Sequence, residues 1–78
     1  MATYTFEELK RASKELLMAL DSCTDAQVLN GVKMFNIIYL STQFDGPLAA
    51  VEQYQAPIVL TLTLQAVMKA RPDAMLTI

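Results

Sequence analysis

The sequence predicts an all-α protein, a small antiparallel bundle of three to four helices assembled as a homo-oligomer. Three observations predict it. Two capping boxes each open a helical pattern, at Thr5 and at Thr24. The last apolar segment, ending at Ala70, runs about 14 residues, longer than a typical strand. The chain is also 54% apolar and only 18% charged over 78 residues, too greasy for a domain of this size to cover alone.

The first helix, 5–20, is the most strongly marked. Thr5-Phe6-Glu7-Glu8 fits a capping box in which Glu8 reaches back to Thr5, and Tyr4 and Leu9 take the hydrophobic-staple positions. Phe6, Leu9, Ala12, Leu16, Leu17 and Leu20 share one side. Glu7, Glu8, Lys10, Arg11, Lys14 and Glu15 share the other, an amphipathic division. After a turn at Asp21-Ser22-Cys23, Thr24-Asp25-Ala26-Gln27 opens a second helix, 24–43, with Cys23 and Val28 as its staple. Val28, Leu29, Val32, Phe35 and Tyr39 form its marked face, but from Met34 onward it is apolar nearly all round, as a central helix is. Gly31 inside it costs about 1 kcal/mol relative to alanine.

Phe44-Asp45-Gly46-Pro47 breaks the pattern. Asp45 or Gly46 would cap, and Pro47 suits the first turn of a two-turn helix reaching Gln55. Pro57 then opens the last helix, to Ala70, on which Thr61, Gln65 and Lys69 form a narrow polar stripe. Arg71-Pro72 ends it. Residues 73–78 form a tail, ordered by docking Met75, Leu76 and Ile78. The whole, 1–78, is one domain. The competing fold is α+β: Asn30-Gly31 becomes a turn, and 32–40 and 58–64 become paired strands behind the first helix.

The bulk numbers bound the function. A chain this short buries only about 60% of the surface its unfolded form exposes. Typical charge content is about 25%, so part of the apolar excess requires a partner, and a second copy is the simplest one. A net charge of −2 and a pI near 4.8 argue against nucleic acid. The single cysteine leaves no internal disulfide, no signal peptide is visible, and the apolar run 56–68 is shorter than the roughly 20 residues a membrane span needs. These point to the cytoplasm of the producing or infected cell, with no membrane partner.

Catalytic chemistry is sparse. With no histidine, the Ser-His and Cys-His pairs and the commonest metal ligand are missing. Two glycines make no phosphate loop. No metal, no cofactor and no enzymatic activity are expected. Cys23 precedes a helix N-terminus, where a thiol is activated, but it reads better as a small buried staple residue. The carboxylates Glu7, Glu8, Glu15, Asp21 and Asp25 suggest no pocket, and Met18 reads as a singly exposed apolar residue.

The leading expectation is a non-enzymatic protein–protein interaction module: an oligomer subunit, an adaptor, or a small inhibitor or accessory protein docking on a larger target. Its expected interface residues are Phe35, Ile38, Tyr39, Leu60, Leu64 and Val67, with Lys10, Arg11, Lys14 and Glu15 on the outer face. The alternative is an oligomer that binds a small anionic ligand, such as a nucleotide, through Lys10, Arg11 and Lys14.

Overall fold

The computed structural model of the chain describes residues 3–76. It contains α1 (Phe6–Ala19), α2 (Asp25–Leu40), α3 (Ala49–Ala70) and α4 (Pro72–Met75). The described residues form no strand; their only extended pairing is an isolated parallel bridge between Tyr4 and Thr42. The α+β alternative is thereby overturned, since 32–40 lies within α2 and 58–64 within α3.

Both capping boxes form. The Glu8 N–H donates to Thr5 Oγ1 at 3.2 Å and the Thr5 N–H to Glu8 Oε1 at 3.0 Å. At α2 the Gln27 N–H donates to Thr24 Oγ1 at 3.2 Å and the Thr24 N–H to Gln27 Oε1 at 2.9 Å. Each cap satisfies orphan donors of a first turn and contributes about 1 kcal/mol.

α2 stops at Leu40, earlier than the apolar pattern suggested. The Thr42 hydroxyl turns back to the Ile38 carbonyl at 2.7 Å. The chain beyond engages the N-terminal segment: the Tyr4 N–H donates to Ser41 O at 3.1 Å and the Gln43 N–H to Tyr4 O at 2.7 Å. A tertiary pairing has replaced the last helical turn.

The larger departure is α3. The expected two-turn helix and the last helix are one continuous element, with Pro57 inside it rather than at its start. Its N-cap is Leu48, without a side-chain cap, and neither Asp45 nor Gly46 serves as one. Gly46 instead takes a φ of 84° in the preceding turn, a left-handed conformation that suits glycine. Pro57 removes the N–H that would have bonded the Gln53 carbonyl. Both residues are exposed, so the interruption falls on the solvent side, while Ala56, Thr63 and Val67 keep one uninterrupted buried face.

The three long helices run up, down, up. α1 and α2 form an antiparallel hairpin, closed at its open end by the Tyr4–Thr42 bridge. α3 returns alongside α1: Ser13 and Thr63 meet at mid-length, and Arg71 ends against the α1–α2 turn. The core gathers Phe6, Leu9, Leu16 and Leu20 with Val28, Val32 and Phe35, and with Ala56, Val67 and Ala74. Each large side chain fully buried here contributes roughly 1.5–3 kcal/mol.

Two polar features pin the second half to the first. Thr63, buried, donates its hydroxyl to Val59 O at 2.6 Å. Its one proton is thereby committed, so Ser13 is the donor in the 2.6 Å contact between the two hydroxyls. Arg71 does more. Nη1 donates to Leu20 O at 2.6 Å and to Cys23 O at 2.8 Å, and Nη2 to Asp25 Oδ1 at 2.5 Å. One guanidinium thus satisfies carbonyls at the end of α1 and in the turn, and pairs with the first residue of α2. Beyond it, where a tail was expected, α4 forms and buries Ala74, with Met75 packed against the core and Leu76 exposed. Ile78 lies outside the described residues.

Candidate interaction surface

α3 is built from 22 residues, about 33 Å at 1.5 Å per residue, whereas the 14 residues of α1 span about 21 Å. The shorter helix covers one face of the longer one. Ala56, Thr63 and Val67 point to that cover. On the opposite face Leu48, Val51, Tyr54, Ile58 and Leu62 recur every three or four positions, a single apolar strip along the outside. All five are exposed, Tyr54 at 74% and Leu62 at 60%.

A second apolar region lies across α1 and α2. Met34, Ile37 and Leu40 are exposed along α2. Beside them a groove of about 260 Å³ runs between the helices, lined by Ala12, Leu16 and Ala19 from α1 and Gly31, Met34, Phe35 and Ile38 from α2. Gly31 explains how the helices approach here. A Cβ at that position would meet Leu16 Cδ1 at 2.8 Å, so Gly31 gives Leu16 room to lie across α2.

The interface residues expected from sequence fall differently. Phe35 and Val67, at 1% and 0% exposure, are core side chains of the chain itself and present nothing to a second one. Ile38, Tyr39, Leu60 and Leu64 are half-buried and pack against that core. For Phe35, Ile38 and Tyr39 the physical reason is that α2 is apolar nearly all round from Met34 onward and carries no periodic signal saying which side turns inward. On α3 the exposed stripe Thr61, Gln65 and Lys69 does mark the outward side, and Val67 lies opposite it. The exposed members of α2 and α3 are the neighbours of the expected ones.

The basic residues of α1 do not converge. Lys10 Nζ lies 3.0 Å from Glu7 Oε1 and 5.1 Å from the centre of the Phe6 ring. Arg11 borders a shallow hollow whose other charged members are Glu8 and Glu15, a poor setting for an anion. Arg11, Lys14 and Glu15 are exposed on the outer face, as is Met18. Cys23 is half-buried and packs against the core. Among the described residues no group of three or more cysteine, aspartate or glutamate side chains is placed to hold a metal ion, and no helix is long and apolar enough to cross a membrane.

In the sequence Arg71 stands out only as the end of a helix. The available signal was an arginine immediately before a helix-stopping proline, with an aspartate in the first turn of another helix, but nothing local connects positions 71 and 25. Comparison of the chain with protein-family models, with curated proteins and with solved structures gives no match.

Proposed function

We propose that this chain is a non-enzymatic protein–protein interaction module that works by burying the outer face of α3 against another polypeptide. The observation that carries this reading is the uninterrupted strip from Leu48 to Leu62, apolar and exposed on a helix whose other face already fills the core. Contiguous apolar surface of this kind marks interaction sites, whereas scattered exposed residues do not. An oligomer subunit, an adaptor and an inhibitor would all use such a face. Of the three residues of the anion-binding alternative, Lys10 is engaged by Glu7 and the Phe6 ring and Arg11 stands beside Glu8 and Glu15, so the interaction reading is preferred.

A photo-crosslinking residue placed singly at Ile58, Leu62 or Lys14 in the producing cell tests it. Capture of a polypeptide from positions 58 and 62, and not from 14, is the expected result. Absence of capture at both α3 positions overturns the reading.

A further inference from the structure

We propose that Asp45 is a site of spontaneous covalent modification: its carboxyl closes on the Gly46 amide nitrogen, and the succinimide so formed opens to an isoaspartyl linkage. The Gly46 nitrogen gives up its proton and attacks Cγ of the Asp45 carboxyl in its acid form. An N–Cγ bond forms and the hydroxyl leaves as water. Water then adds back to the imide. Opening at Cγ restores aspartate. Opening at the former main-chain carbonyl leaves the chain running through Cβ and Cγ, longer by a single carbon and unchanged in mass.

Ring closure needs a free N–H after the acid, a carboxyl or amide that nothing else holds, and room between them. The chain offers Asp21, Asp25, Asn30, Asn36, Asp45 and Asp73. The fold closes all but one. After Asp21, the Ser22 N–H donates to Ala19 O at 3.2 Å. The Asp25 carboxylate is held by Arg71 Nη2. Asn30 and Asn36 lie inside α2, where the following N–H bonds to the carbonyl four residues earlier. After Asp73, the Ala74 N–H donates to Arg71 O at 3.2 Å. Asp45 and Gly46 are both exposed, and among the described residues neither the carboxylate nor the Gly46 N–H has a partner. Gly46 presents no side chain to the attacked carbon, and no other group lies within 4 Å of where its Cβ would stand.

In an unfolded chain the order is different. Asn30-Gly31 closes faster than Asp45-Gly46, because an amide carbon accepts a nucleophile more readily than a carboxylate carbon does. The fold reverses that order by placing Gly31 inside a helix and Gly46, with its φ of 84°, in a turn. The extra carbon enters the main chain just ahead of Leu48, where α3 starts without a side-chain cap.

Ageing the full chain for weeks at neutral pH, then methylating isoaspartyl carboxylates enzymatically and mapping the labelled peptides, tests the proposal. Label should concentrate on the peptide that spans Asp45 and Gly46, about 10-fold or more above any other site, which is a small difference in barrier. That peptide keeps its mass and resists a protease that cuts before aspartate. Asp45→Glu, which would have to close a slower six-membered ring, loses the label and retains the helical circular dichroism. In strong urea Asn30 becomes the fastest site, and its peptide changes mass as the amide is lost. No label on the aged native chain overturns the proposal, as does label spread evenly over the four aspartates or label that persists in Asp45→Glu. Modification of Asn30 in the native chain at its urea rate also overturns it, because α2 would then protect nothing.

Discussion

The two halves of the molecule are ordered by different means. From Thr5 to Leu40 the chain states its structure locally, with a side-chain cap at each helix start and a staple residue ahead of each. From Leu48 onward neither helix has a side-chain cap, a proline sits in the interior of α3, and the contacts that hold it come from far away in sequence. Arg71 bonds to residues 46, 48 and 51 positions earlier, and Thr63 to one 50 positions earlier. Local signals suffice for a hairpin, whereas the third helix takes its place from the surface the hairpin offers.

The most severe test of this contrast is Arg71→Ala. It removes charge-assisted bonds to two carbonyls and to a carboxylate, and about 3 kcal/mol of stability should go with them. Urea denaturation gives the magnitude, and amide hydrogen exchange should show protection lost first in α4 and the end of α3. Equal loss throughout α1 and α2 would mean that the halves are not separable in this way. Pro57→Ala should stabilise the chain by about 2 kcal/mol: about 3 kcal/mol recovered from the helix interior, less about 1 kcal/mol for the freer unfolded chain. No change in the thermal midpoint would argue that α3 is interrupted there in solution.

Smaller effects sharpen the same comparison. Thr63→Val keeps the shape and deletes the acceptor of the Ser13 proton, at a cost of about 1.5 kcal/mol. The double variant with Ser13→Ala should be less destabilised than the sum of the two singles, a coupling that a double-mutant cycle measures. Thr24→Ala should cost about 1 kcal/mol through the lost cap. If it costs more than Arg71→Ala, the distant contacts are not what distinguishes the second half.

What the sequence revealed follows the same division. The all-helical architecture and the buried positions of α1 were legible because Phe6, Leu9 and Leu16 repeat against a charged opposite face. The starts of α1 and α2 were legible because a capping box is complete within four residues. The continuity of α3 was not, since Pro57 is a fair helix start by every local criterion and only the shared burial of Ala56, Thr63 and Val67 overrides it. Nor was the outward strip. Val51, Tyr54, Ile58 and Leu62 fall into line only once the helix is known to run through the proline. Phe35 is buried in the core because α2 is apolar nearly all round there and packing makes the inward choice, whereas the burial of Val67 was legible from the polar stripe Thr61, Gln65 and Lys69 on the other side of its helix.

The bare strip on α3 also sets how the protein responds to temperature. Unfolding a chain of this size normally raises the heat capacity by about 1 kcal/mol/K, mostly because apolar groups become hydrated. Here Leu48, Val51, Tyr54, Ile58 and Leu62 are wet before unfolding begins. A lone chain should therefore show a smaller increment in calorimetry and a shallow, broad stability curve, and whatever covers α3 should steepen it, so that dilution alone changes its curvature.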